Sequence, residues 1–365
     1  MTTIKFVPAL LHQFLEEPGV ERCTSLTDIF CGGGELTLAL VQRLRERLPA
    51  VRLHNVYGPT EATVDSTAWT LQPDEPLPLI APPIGRPIAN TRLYVLDAHD
   101  RPVPLGAVGQ LHIGGVGVAR GYLGLAALQA ERFIASPFVE GDRLYRTGDL
   151  VRYRLDGELD FVGRNDFQVK LRGLRVELGE IEASLTAHPA IGQAVVLMRE
   201  ERLVAYFTCR EGSSAPALEV LRSHLVGRMP DYMVPQAFVA LAELPLSTNG
   251  KVDRKALPAP GAESVISRQY QAPRGELETA LAEIWTDVLK IEQVGRDDNF
   301  FELGGHSLLA VSLVARMRQA GLHVDARTLF SQPTLAALAA STRLEHIEVV
   351  IPQTTIPSLG KRRRI

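Results

Sequence analysis

Cysteine is scarce in this chain: Cys23, Cys31 and Cys209 are the only three in 365 residues. Their wide spacing makes neither a zinc-ligand pattern nor a disulfide framework, and a reducing cytoplasm is the simplest setting. Charge of one sign is lacking too. The 39 lysines and arginines nearly balance 42 aspartates and glutamates, a formal net charge of -3. That removes the bulk electrostatic case for nucleic acid or an anionic membrane as partner. No apolar run approaches the roughly 20 residues that a membrane helix needs. The short run Phe6-Val7-Pro8-Ala9-Leu10-Leu11 follows one lysine and precedes Glu16-Glu17, a poor signal peptide. Internal repeats are missing as well. What is there is ordinary: 45% hydrophobic and 22% charged residues suit globular domains, and the length leaves room for two or three of them.

The first 50 residues alternate strand and helix signals. A strand is expected at 2–7, a helix opened by Pro8 with Leu10, Leu11, Phe14 and Leu15 on one side, a strand at 26–30 and a helix at 36–48. Between the last two, Cys31-Gly32-Gly33-Gly34-Glu35 is a glycine-rich turn without the lysine or spacing of a P-loop. A third strand at 52–56 runs into Tyr57-Gly58-Pro59-Thr60-Glu61, a tight turn presenting a ring, a hydroxyl and a carboxylate. Such groups suit a nucleotide and Mg²⁺, and equally an ordinary turn with a buried tyrosine. From residue 80 the chain reads as β-rich. Asp149 follows Gly148 at an expected strand start, and strands at 151–154 and 159–162 flank the turn Asp156-Gly157 as a hairpin. Residues 163–182 read as a charged loop, one strand with alternating basic residues and a helix start; such alternation usually marks a solvated face. Helices at 181–187 and 217–228 and strands at 190–197 and 203–208 follow. Asn249-Gly250 is a turn signal that projects Lys251 on a loop.

Near the C-terminus the run Asp298-Asn299-Phe300-Phe301-Glu302-Leu303-Gly304-Gly305-His306-Ser307-Leu308 sets one serine before an apolar helical stretch. Unpaired N–H groups at a helix start favour an attached phosphate, and a serine there also serves as a simple N-cap. An apolar stripe of Leu277, Leu281, Ile284, Trp285, Val288 and Leu289 predicts a preceding helix, and Leu335 and Leu338 a last one.

Taken whole, the 298–307 run resembles the peptidyl-carrier signature of nonribosomal peptide synthetases, in which the serine carries 4'-phosphopantetheine. Asn55 to Thr63, 108–123, 144–150, 163–182, 229–235 and 244–254 are similar, in order, to motifs of adenylate-forming enzymes. Gln110 stands where Glu is usual. The resemblance implies a multidomain chain: an α/β plus β-rich remainder of the large adenylation domain at 1–165, a small α+β domain at 166–257, a linker at 258–272, an all-α four-helix-bundle carrier at 273–345, and a tail at 346–365. The family's phosphate loop and the segment with its amino-group aspartate have no counterpart here. The chain is therefore expected to be a synthetase fragment, unable to adenylate alone.

The family reaction activates an amino acid with Mg-ATP as aminoacyl-AMP and passes it to the carrier arm as a thioester. By resemblance Lys251 is the catalytic lysine, Glu61 holds Mg²⁺, Thr60 touches phosphate, Tyr57 stacks on adenine, and Asp149 and Arg164 hold the ribose. Asp166 is the hinge, Gly173 lines the pantetheine path, and Ser307 is the attachment site. Lys5, Phe30, Gly32, Val56, Val64 and Asp65 fall at substrate-pocket positions, where two charges suggest a polar glutamate- or glutamine-like side chain. Expected partners are a phosphopantetheinyl transferase with coenzyme A and neighbouring condensation or thioesterase domains. Two other readings stand beside this one: a stand-alone acyl-CoA-type ligase, against which the fused carrier argues, and a non-enzymatic carrier scaffold.

Overall fold

The computed structural model describes residues 1–171, 173–200, 202–261, 270–305 and 307–344. These fall into two compact units that divide between Ser267 and Arg268.

The first unit opens with β1 (Thr3–Phe6), α1 (Pro8–Glu16), β2 (Asp28–Gly32), α2 (Leu38–Arg47), β3 (Arg52–Tyr57), β4 (Thr67–Leu71) and β5 (Arg86–Pro87). Strands β1, β2 and β3 are parallel, and β4 and β5 continue the sheet antiparallel. Alternation divides the parallel strands by face. Ile29, Cys31 and Leu53 join Leu11, Leu15, Val41 and Leu44 of the two helices in one buried core. Lys5, Phe30, Gly32 and Val56 share the opposite face, where Lys5 registers with Phe30 and Gly32 with Val56. The second strand thus sits two residues later than its expected 26–30, and α2 starts at Leu38 rather than Leu36. Thr37 caps α2 by accepting from the Leu40 N–H at 3.3 Å. That leaves Gly33 to Leu36 as open chain over the strand end.

A second sheet comprises β6 (Thr91–Leu96), β7 (Gly109–Gly115), β8 (Phe133–Ala135), β9 (Arg143–Tyr153) and β10 (Leu159–Arg164), with α3 (Ala126–Arg132) leading into β8. The expected hairpin forms, but its first strand begins at Arg143. Asp149 therefore lies inside a strand rather than at its start.

The 163–182 region also departs from expectation. Its one expected strand is two, β11 (Gln168–Leu171) and β12 (Leu174–Glu177), paired antiparallel. Leu171 and Val176 point into a core shared with α4 (Leu178–Thr186), β13 (Ile191–Arg199), β14 (Arg202–Cys209), α5 (Leu218–Val226) and β15 (Ala237–Ala240). The hairpin is thereby fastened to the part of the chain that follows it.

The second unit carries α6 (Gly275–Leu289), α7 (Ser307–Gln319), β16 (Leu322–His323), α8 (Ala326–Ser331), α9 (Leu335–Ser341) and β17 (Arg343–Leu344). Leu281, Trp285, Phe300, Leu313, Met317, Leu335 and Leu338 are buried together. Trp285 and Phe300 meet edge to face at 5.2 Å. The tail residues 346–365, including the basic run Lys361 to Arg364, lie outside the described residues, as does His306. No described helix is long and apolar enough to cross a membrane.

Candidate active site

The site gathers where β3 ends. Tyr57 is its last residue and Glu61 lies in the turn that follows, both buried. The Tyr57 hydroxyl donates to Asp149 of β9, and Arg164 of β10 donates to the other Asp149 oxygen. Arg164 also clasps Asp166 through two bonds of 2.6 and 2.7 Å. Tyr57, Asp149, Arg164 and Asp166 thus form one hydrogen-bonded chain. Burial, then the Asp149 carboxylate, push the Tyr57 phenol well above its ordinary range. Burial works against ionisation of Asp166, but Arg164 overcomes it and holds the carboxyl below the usual range.

Glu61 is engaged from beyond Asp166 in the chain. One Arg175 nitrogen of β12 donates to both of its oxygens, at 2.8 and 2.7 Å. The Tyr122 hydroxyl donates to the same carboxylate. Burial opposes ionisation here too, and Tyr122 and Arg175 outweigh it to keep the Glu61 carboxyl low. Lys170 of β11 places its ammonium 5.4 Å from the centre of the Tyr57 ring. A cavity of about 100 Å³ remains between Gly33, Gly34, Glu35, Val56, Tyr57 and Lys170. That is well below the roughly 300 Å³ at which ligand pockets begin.

Glycine is required where the hairpin meets the first sheet. Gly173 has φ +82°, and a Cβ there would lie 2.6 Å from Val7. The Gly33 position comes within 3.8 Å of the Gly173 carbonyl in the same sense. The glycine-rich turn therefore faces the 173 loop.

The residues expected at substrate-pocket positions are brought together in part. Gly32 is closed against Val56, whose carbonyl would lie 2.6 Å from a Cβ. Phe30 stacks on His54 at 4.3 Å. Lys5 and Asp65 pair with one another at 2.6 Å. Val64 is exposed and holds φ +73°, a strained value for a β-branched residue. Thr60 is exposed. Lys251 stands apart: it is exposed at the end of a turn that it closes by accepting from Ser247 N–H at 2.7 Å, and it does not line the cavity. Sequence reasoning missed Arg175, Tyr122 and Lys170. For the two cations a signal existed, since Val169, Leu171 and Val176 alternate with them.

In the second unit Ser307 is the first residue of α7. The turn before it is tight: Gly304 has φ +98°, and Gly305 N–H donates to the Phe300 carbonyl at 2.8 Å. A Cβ on Gly305 would fall 2.3 Å from the Phe300 ring.

Three family descriptions match this chain: AMP-binding enzyme over residues 1–123, AMP-binding enzyme C-terminal domain over 180–251, and Phosphopantetheine attachment site over 279–341. Malpinin synthetase of Mortierella alpina is 46% identical over 99% of this chain, and tyrocidine synthase 3 of Brevibacillus parabrevis is 46% identical over 93%. The chain spans only 5% of the length of either protein. A solved holo NRPS protein containing adenylation and PCP domains, bound to a vinylsulfonamide inhibitor, matches with a TM-score of 0.70 and 30% identity, over 92% of this chain and 56% of its own. Adenylation-enzyme sequence followed by a phosphopantetheine attachment site places the chain in the nonribosomal peptide synthetase family, as an adenylation segment joined to a carrier.

Proposed function

We propose that the protein works in activating an amino acid as its adenylate and receiving the acyl group on an arm at Ser307. The observation that carries this reading is that Tyr57, Asp149, Arg164 and Asp166 form one bonded set beside Glu61, in a chain that also carries Ser307 at a helix start. In this reading Tyr57 supports the adenine, Asp149 and Arg164 take the ribose hydroxyls, and Thr60 contacts phosphate. Lys251 supplies a cation for the developing phosphoryl charge. Asp166 is the hinge that exchanges Lys251 for the Gly173 loop. Residues 1–165 and 166–257 act as the two adenylation parts, 258–272 as a linker and 273–345 as a four-helix-bundle carrier.

Glu61 fits Mg²⁺. Its carboxylate is buried, and in this structure a guanidinium already stands where a cation would bind it. One carboxylate is what Mg²⁺ ordinarily takes from a protein when phosphates supply the rest. The ion would neutralise phosphate charge. The start of α7 suits a phosphopantetheine ester, since unpaired N–H groups at a helix N-terminus favour an attached phosphate. That arm supplies the thiol that accepts the acyl group. The Lys5–Asp65 pair supports a substrate with a glutamate- or glutamine-like end, able to share both charges.

The test is incubation of the arm-bearing chain with single preformed aminoacyl adenylates, read by intact mass. Gain of one aminoacyl group from one adenylate is the expected result. Arm attachment without gain from any adenylate would overturn the reading of the first unit as an adenylate site. It would leave the carrier scaffold, the second reading, which the separate core of the second unit favours.

A further inference from the structure

The two carboxylates assigned above to the ribose and the metal are both engaged within the chain. Asp149 accepts from Tyr57 and Arg164, and Glu61 accepts from Arg175 and Tyr122. The two cations responsible for closing the cleft come from one short hairpin. Lys170 and Arg175 are direct cross-strand partners, so they share a face, and that face is the one turned away from the hairpin's own core residues Leu171 and Val176. Lys170 lies over Tyr57 and Arg175 on Glu61. Two like charges directly opposite on a hairpin repel. Each therefore needs a partner elsewhere, and the partners are the last residue of β3 and the turn that follows it.

Arg175 is also anchored at its other nitrogen, 3.4 Å from the Tyr145 hydroxyl and 3.5 Å from Glu177. The Glu61 side chain is 8% exposed, so it has no room for a second cation while Arg175 is in place. We propose that the β11–β12 hairpin is a removable cationic lock: Arg175 occupies on Glu61 the place of a divalent cation, so docking of the hairpin and binding of the metal exclude one another. Arg175 is a positioning residue in this account. It ties the arrangement of the chain beyond Asp166 to whether the metal has left. The inference rests on the reading of Glu61 as the metal-holding carboxylate.

The test uses the full chain and Mn²⁺ alone as probe. Free Mn²⁺ is measured by electron paramagnetic resonance for the wild type, Arg175→Met, Glu61→Gln and the double variant. Arg175→Met is expected to bind Mn²⁺ at least tenfold more tightly than the wild type, and Glu61→Gln to abolish that gain in the double variant. Arg175→Lys, which keeps the charge but loses the planar fork, is expected to fall between. Amide exchange in 168–177 of the wild type supplies a readout that needs no variant: it should rise when Mn²⁺ is added. Equal Mn²⁺ affinity in wild type and Arg175→Met, with binding lost in Glu61→Gln, would overturn the lock and leave Glu61 as the metal carboxylate. Tight Mn²⁺ binding by Arg175→Met that survives in the double variant would overturn that reading of Glu61 and the lock with it.

Discussion

Lys170 and Arg175 face each other across a four-residue-stranded hairpin, and reach Tyr57 at the end of β3 and Glu61 in the turn after it. The hairpin buries Leu171 and Val176 with the elements that follow it while lending its cations to the elements that precede it. Its position is therefore a property of both sides of Asp166.

Gly173 is what lets the hairpin approach. An alanine would meet Val7 at 2.6 Å and hold φ +82°. Gly173→Ala should cost about 1–3 kcal/mol from the combined strain and overpacking. It should also raise amide exchange at 168–177, and unchanged melting and exchange would show that the approach is not tight.

Acid should release the same contacts. Glu61 and Asp166 are held below the usual carboxylate range, and Asp28, beside His54 first and then Thr27 and Arg52, is lowered to about 2. Depressed carboxyls add stability above their unfolded values, near 4, and lose it as pH falls through their folded ones. The melting temperature of the first unit should begin to fall below about 6.5, where buried His112, held below its ordinary range by burial, resists protonation, and fall steeply between about 4 and 2. Glu61→Gln should flatten part of that fall.

Much of this is legible in the sequence, for different reasons at different places. The parallel strands and their helices announce themselves through alternation and Pro8, because one sheet face is buried. The ends of β2 and α2 escape a pattern-based reading because Gly33 to Leu36 is open chain, held by the Thr37 cap rather than by a pattern of apolar residues. Asp149 reads as a strand start because Gly148 looks like a turn, whereas its φ of +78° is accommodated inside β9. Arg175 is hidden because an alternating basic run reads as a solvated face. Its partner Glu61 lies 114 residues away, a distance no local pattern reports.

Lys5 and Asp65 offer a test of selectivity separate from stability. Their side chains are 47% and 33% exposed, so the pair should contribute only about 0–1 kcal/mol to folding. Lys5→Ala should leave the melting temperature within a degree or two, while lowering preference for a glutamate- or glutamine-like substrate at least tenfold in loading assays. An unaltered preference would remove Lys5 from the pocket.

In the second unit, Gly305→Ala should destabilise the fold by about 1–3 kcal/mol, since the added methyl would sit 2.3 Å from the buried Phe300 ring. Calorimetry of the full chain should show the transition of this unit shifting down while that of the first unit stays in place. Equal shifts of both would contradict the separate core.

The most direct measurement is the intact mass of the full chain after incubation with coenzyme A and a broad phosphopantetheinyl transferase. The account predicts a gain of one phosphopantetheine arm, absent in Ser307→Ala. No gain by the folded wild type, or a gain that survives in Ser307→Ala, would contradict it.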